Sequence, residues 1–427
     1  MALLTSLAEE ILIQARKLDN YLSSQGRQCA SFDHDSLSQL PPELKEAQEA
    51  VVNLAHTVKK LALRPESLLE EIMWSCADQI SLGAINEFRI AKHVPETGSA
   101  SFEEIGDRSR LPAQLVERLL RQAMTNRIFT EDETGQVKHT AASRLLARDA
   151  DLSDAITMMA QESWRPSTRV TDAIKKYPEC QEPNEAAFAL VNEPGVSMFD
   201  FLARQPQRAR YFDRAMRYYA SLENCDLKHL VNGYAWSDMD RPGVVMVDVG
   251  GGQGWVSRAL AQATGNIRFI VQDLKNTAED GERLLPQDLS HRIEFTEHDF
   301  FIKQPVEKAD IYFLRWVLHD WSDKYAVMIL RNLVPALKDG ARVILYERVS
   351  AEGAETRFTE KHGRDSDLVM LAQFNGQERT LKAFEALFQE ADPRYQMEGA
   401  HRPAESAMTI VEMTWKPNTL KEAKWPE

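Results

Sequence analysis

Apolar residues recur at helical spacing over residues 3–23 (Leu4, Leu7, Ile11, Ile13, Ala15, Leu18, Leu22), which predicts an amphipathic helix. A polar, proline-containing break, SFDHDSLSQLPPEL at 31–44, ends it. A second helix is expected over about 43–63, with Ala50, Val51, Leu54, Val58 and Leu61 along its stripe. Residues 1–65 have too little chain to build a core of their own. They are expected to pack on another part of the chain or on a second copy of it.

Residues 66–147 read as a small domain. Ser101 precedes Glu104 by three positions, the spacing of a capping box, and opens a short helix. Another helix runs from Pro112, with Leu115, Val116, Leu119, Leu120 and Ala123 on one face. IFTEDETGQVKHT then predicts a hairpin around Asp132–Gly135. Helix, helix, hairpin is the order of a winged helix. The would-be recognition helix carries Glu117 and a wide apolar stripe beside its arginines, so a packing module is expected in preference to a DNA reader.

Residues 148–238 read as helical and rich in Met and aromatics, among them Met158, Met159, Trp164, Phe199, Phe201, Tyr211, Phe212, Met216, Tyr218 and Tyr219. Such side chains fill a core or wall a pocket for a flat organic molecule. From 239 to 418 the texture changes. GVVMVDVG, IRFIVQDL, IEFTEHDF, DIYFLRW and ARVILYERV are short apolar runs, most of them separated by helical stretches. That alternation predicts an α/β fold with parallel strands and crossover helices, a doubly wound sheet.

The chain has 427 residues and a net charge of −14, with no basic run, which argues against a surface for nucleic acid or anionic lipid. Its four cysteines (Cys29, Cys76, Cys180, Cys225) match no metal-ligand spacing, so no metal site is expected and reduced thiols in a cytoplasmic protein are. No stretch approaches the roughly 20 uncharged apolar residues of a membrane span.

The first C-terminal run leads into DVGGGQGWVSRALA. Glycines let a backbone turn sharply and approach a ligand, and the helix start beyond offers unpaired N–H groups. Gly250 and Gly252 form the turn, and Asp273, ending the next strand, is placed to accept from ribose hydroxyls. The carboxylate of Asp248, at the end of the first strand, sits where a pyrophosphate would be repelled and suits a cationic ligand. S-adenosylmethionine, with an ammonium, a sulfonium and no phosphate, meets both demands. Asp299 and Phe300 end the third strand, where an acid can accept from an adenine amino group and a ring can stack on it. Trp316 could cover the other side.

DVGGGQG, VQDL, HDFF, LRWVLHDWSD, ILYERV and FNGQERT occur in this order. Together they resemble the plant and fungal small-molecule O-methyltransferases that use S-adenosylmethionine, over roughly residues 66–415. The resemblance implies a winged-helix dimerisation domain, a helical region contributing to the substrate pocket, a C-terminal Rossmann-like domain and an intertwined homodimer. It also implies that His319 is the general base, flanked by Glu347 and Glu378, and that Leu274 and Arg315 belong to the cofactor site. The family's Lys is Arg315 here, and its Pro after the Asp–Leu pair is Lys275.

A phenol or enol is a poor nucleophile until it loses its proton, and a neutral imidazole is a suitable acceptor. An acid on the far ring nitrogen fixes the tautomer. Asp320 is expected to cap the helix of WSDKYAV or to contact substrate. Trp164, Met370 and Phe374 are candidate pocket residues, and His139 suits packing or substrate contact equally. The expected function is methyl transfer from S-adenosylmethionine to a hydroxyl of an aromatic or polyketide-like small molecule. The alternative is a pericyclase or dehydratase that keeps the same cofactor without transferring its methyl group. A non-catalytic winged-helix regulator is disfavoured by the acidic charge.

Overall fold

A computed structural model describes residues 3–27, 29–38 and 40–417. The chain divides into two compact units: residues 1–165 with 205–218 and 355–362, and residues 166–204 with 219–354 and 363–427. The Met- and aromatic-rich stretch 148–238 is therefore shared between them.

In the first unit the helices Leu3–Ser24 and Pro42–Ala62 bury Leu18, Leu40 and Ala47 between them, with Tyr21, Leu44 and Val51 around. Residues 358 and 359 add to this pair: Asn53 bonds Thr359, and the His56 ring lies 4.8 Å from that of Phe358. A separate core gathers Ile85, Ile90, Ile105, Val116, Leu120, Phe129 and Val137. The helix Phe102–Ser109 starts on the expected capping box: Ser101 Oγ accepts from Glu104 N at 3.2 Å, and Glu104 Oε2 accepts from Ser101 N at 2.9 Å. Pro112 is the residue before the helix Ala113–Thr125, not part of its first turn. The hairpin is present as β1 (Thr130–Glu131) and β2 (Val137–Lys138), with Ala100 bridged to Val137 on the far side.

The second unit is built on a seven-stranded sheet. Its strands are β3 (Val245–Val249), β4 (Arg268–Asp273), β5 (Ile293–Glu297), β6 (Ile311–Arg315), β7 (Arg342–Glu347), β10 (Tyr395–His401) and β11 (Thr409–Trp415). The order is β10-β11-β7-β6-β3-β4-β5, with β3 to β7 mutually parallel and β10 and β11 antiparallel. The five predicted runs are the five parallel strands. They read as continuous apolar runs because both faces are covered: Val247, Tyr312 and Leu345 pack on one side, Met246, Phe313 and Tyr346 on the other. Each such side chain contributes about 1.5–3 kcal/mol on burial. β10 and β11 lie outside the predicted runs. β10 is an edge strand with Gln396, Glu398 and Gly399 and a register irregularity at Met397/Gly399, so no apolar pattern marks it.

Connections run from β3 outward through β4 to β5, then cross to β6 on β3's other side. This reversal opens a crevice at the carboxyl ends of β3 and β6, where open α/β sheets bind ligands. A short parallel pair, β8 (Val349–Ser350) with β9 (Arg379–Thr380), brings residue 378 beside the end of β7. Among the described residues no helix is long and apolar enough to cross a membrane.

Candidate active site

The turn after β3 needs glycine. Gly250 and Gly252 sit at φ +67° and +58°, in the left-handed region. A Cβ at Gly250 would also stand 3.0 Å from Val317 Cγ2 and 3.5 Å from the Phe300 ring. Behind the turn Asp248 is buried, its Oδ2 accepting from Ser257 Oγ at 2.7 Å, and burial pushes its carboxyl up to about 6. Asp273 accepts from Gly252 N at 2.9 Å and from Leu274 N at 2.8 Å. Both its oxygens thus hold the loops of the crevice, and the Thr277 side chain bonds the same carboxylate. Burial raises its pKa as well.

Leu274, 54% exposed, precedes the helix Lys275–Arg283, so Lys275 occupies the first helical position, where a proline also fits. Asp299 is exposed and uses Oδ1 to accept from Phe301 N at 2.9 Å, which turns the chain and sets the Phe300 ring toward Gly250. The Arg315 guanidinium lies 3.9 Å from the Trp316 ring centroid and its Nε is buried without a partner among the described residues; burial lowers its pKa.

His319 follows β6 on a short helical turn. Trp316 enters that turn at φ +52°, a strained conformation for a bulky residue. Glu347, at the end of β7, holds the turn: its Oε1 accepts from Val317 N at 2.9 Å and Leu318 N at 3.2 Å. The acid bonded to the ring is Glu378 and not Glu347, whose Oε2 is buried without a partner among the described residues. Glu378 Oε1 lies 3.2 Å from His319 Nδ1 and accepts from Ser366 Oγ at 2.7 Å. The other ring nitrogen is also attended: Nε2 is 3.4 Å from Asp320 Oδ1. Asp320 does not cap the following helix, Asp323–Leu333. Ser322 stands at that N-cap position, and its hydroxyl donates instead to Gln181 O at 2.8 Å.

Three carboxylates thus surround one imidazole. Burial opposes its charge, but Asp320, Glu378 and Glu347 outweigh that and push His319 up to about 10. Burial pushes Asp320 up to about 7 although the imidazolium pulls the other way. Burial also raises Glu347. Glu378 resists burial and stays below the usual range because His319 and Ser366 stabilise its anion.

Sequence reasoning missed the clamp behind this turn. Gly376 packs directly on the main chain of residues 319 and 320, Gln377 N donates to His319 O at 2.9 Å, and the buried Arg379 donates to Leu318 O and Trp321 O, both at 2.6 Å, and to Asp323. The GQERT motif quoted for Glu378 contains all three residues, but contacts to main-chain oxygens leave no periodicity to read.

Of the candidate pocket residues, Phe374 stacks on Phe199 at 5.1 Å, and Phe199 lies 5.9 Å from Trp321. Met370 is buried one turn before Phe374. Trp164 belongs to the first unit, where it packs on Gly83 from a π-helical turn, Met159–Trp164. His139 is buried there with both nitrogens engaged, Nδ1 at 2.8 Å from Ser143 Oγ and Nε2 at 3.1 Å from Val94 O, which is a packing role.

A family model for the O-methyltransferase domain matches residues 175–393. The chain is 35% identical over 417 residues to a chlorophenol O-methyltransferase of Trichoderma longibrachiatum, spanning 96% of this chain and 89% of that protein. The chain belongs to the O-methyltransferase family.

Among solved structures, the O-methyltransferase resembles NcsB1, an O-methyltransferase from neocarzinostatin biosynthesis. The two are 28% identical with a TM-score of 0.65, over 79% of this chain and 96% of the other, and that structure holds S-adenosylmethionine and 2-hydroxy-5-methyl naphthoic acid. A pericyclic reaction enzyme shares the fold at 21% identity and TM-score 0.73, over 96% of this chain and 100% of the other. S-adenosylmethionine is the O-methyltransferase's cofactor and supplies a methyl group already activated on a positive sulphur. The residues present fit it: a buried anion at Asp248 suits its cationic end, and the buried Arg315 Nε lacks an acceptor, which a carboxylate would provide.

Proposed function

We propose that this enzyme methylates a hydroxyl of an aromatic or polyketide-like natural-product intermediate. The hydroxyl's proton goes to the carboxylate–imidazole–carboxylate group built on His319. The single observation that carries this reading is that group's place, at the carboxyl end of β6 beside the glycine turn of β3, with an acid at each ring nitrogen. The Phe374–Phe199 stack and Trp321 support a flat substrate. Residues 66–147, in which the helices Phe102–Ser109 and Ala113–Thr125 are followed by the hairpin, are read as a winged helix. The N-terminal unit is read as carrying a homodimer surface, because its Leu69, Ile72, Met73, Trp74 and Ile80 are each more than 60% exposed on one chain. Four free thiols accord with a cytoplasmic setting.

Incubation with a radiolabelled methyl donor and a panel of phenols, naphthols and pyridones tests the reading. Label is expected in the organic product with wild type, and not with His319→Ala. Product formed without consumption of donor would replace methyl transfer by the pericyclic or dehydrating alternative.

A further inference from the structure

We infer that Gln272 and Gln304 are positioning residues for S-adenosylmethionine, a buried pair of amides that fixes the glycine turn and the Phe300 loop relative to each other. The inference rests on the cofactor lying over the glycine turn, and not on which hydroxyl takes the methyl group. Gln272 lies on β4 next to Asp273, and Gln304 in the loop after β5; both are almost wholly buried. Gln272 Nε2 donates to Gln304 Oε1 at 2.9 Å, and Gln304 Nε2 donates back to Gln272 Oε1 at 2.7 Å. Val306 N donates to the same Gln304 oxygen at 2.9 Å. This third bond decides which end of the Gln304 amide is the oxygen, because an N–H needs an acceptor. The reciprocal pair then sets the orientation of Gln272.

A buried amide is costly unless its donors and acceptors are met, and apolar side chains would fill the same space without that demand. What two facing amides add is direction, and the main chain that carries each is tied onward. Gln272 O accepts from Gly251 N at 3.0 Å, within the glycine turn. Gln304 N donates to Asn332 O at 3.0 Å, and Asn332 Nδ2 donates to Phe300 O at 3.1 Å. The Phe300 ring in turn faces Gly250, 3.5 Å from where a Cβ would stand. These contacts close a circuit: glycine turn, Gln272, Gln304, Asn332, Phe300 and back to the turn. None of its bonds involves His319, Glu347 or Glu378. Loosening it should therefore weaken the hold on the methyl donor and spare the chemical step.

Titration calorimetry of the full chain with S-adenosylmethionine tests this without a substrate. Gln272→Leu and Gln304→Leu should each weaken binding about five- to tenfold, the net worth of a hydrogen bond or so. The double variant should bind no more weakly than either single one, because the second change removes a group whose partner is already gone. Asn332→Ala cuts the circuit at Phe300, outside the amide pair, and should weaken binding by a similar factor; it serves as well if an amide variant fails to fold. With 2-naphthol, or the most reactive phenol of the panel, KM for the donor should rise by the same factor while kcat at saturating donor stays within about threefold of wild type. Donor affinity within about twofold of wild type in the folded variants, with only the melting temperature lowered, would reduce the pair to a packing role and overturn the inference. So would a double variant in which the two single losses multiply. Gly250→Val tests the premise separately: it should abolish donor binding, and its failure to do so would place the cofactor elsewhere. Failure of wild type to methylate any phenol would count against the methyl-transfer reading, and calorimetry would still judge this one.

Discussion

Replacing Gly376 by alanine should slow methyl transfer about a hundredfold while affecting donor binding less. A Cβ at this position would lie 2.3 Å from His319 O, 2.7 Å from Asp320 C and 2.9 Å from Asp320 O, where ordinary contact begins at 3.4 Å. All three atoms are main chain, so no side chain can swing aside. The loop itself is anchored, with Gly376 N donating to Met370 O at 3.3 Å and Gln377 N to His319 O at 2.9 Å. Relief therefore requires the catalytic turn to shift by about 1 Å, a misplacement that can cost about 10²-fold in rate. The accompanying overpacking costs about 1–3 kcal/mol, a fall of roughly 2–10 °C in melting temperature for a unit of this size. Titration calorimetry should find S-adenosylmethionine affinity less affected than turnover, since Asp248 and Asp273 sit on strands β3 and β4 and Gly250 on the turn after β3, away from the shifted turn. Turnover of the panel's best phenol should drop as stated. A Gly376→Ala enzyme with kcat within twofold of wild type and an unchanged melting temperature would refute the reasoning.

Asp248→Asn should raise thermal stability and weaken cofactor binding together. The native carboxyl titrates at about 6, above its unfolded value, so the stability cost of its ionisation is absent below about pH 4, grows between about 4 and 6 and is level above that. The variant's gain in melting temperature should thus be largest at pH 7.5 and vanish near pH 4; a loss at pH 7.5 would contradict this. Glu347→Gln should keep the melting temperature within a few degrees because the amide oxygen still accepts from Val317 and Leu318, whereas Glu347→Ala should lose about 1–3 kcal/mol per orphaned N–H; equal stability of the two would dissociate Glu347 from the turn. Phe374→Ala should raise KM for planar substrates more than it lowers kcat, and an unchanged KM in steady-state assays would remove Phe374 from the pocket. Trp74→Asp should convert a dimer to monomer in sedimentation equilibrium, and a dimeric variant would move the interface elsewhere.

The five parallel strands were legible because burial on both faces writes each as an apolar run. The capping box at Ser101 and the glycine turn were legible because each depends on residue types at fixed spacing. Edge strand β10 was not, since solvent on its outer side leaves no pattern. His319, Glu347 and Glu378 were marked together by resemblance, but their division of labour was not. Which acid meets the ring and which meets the main chain depends on where β7 and the 375–379 loop end in space. Asp320 read as a cap or a substrate contact, the first because an acid before a helix is a common cap, yet Ser322 is the residue in that position. The strained backbone at Trp316 and the buried reach of Arg379 have no local signature at all.

The contacts that hold residues 318–321 in place, from Gly376, Gln377, Arg379 and Glu347, all end on main-chain atoms. The mount is thus indifferent to which side chains it displays. Descendants of such a chain can exchange the imidazole and its neighbouring acid for other groups without rebuilding the platform beneath them.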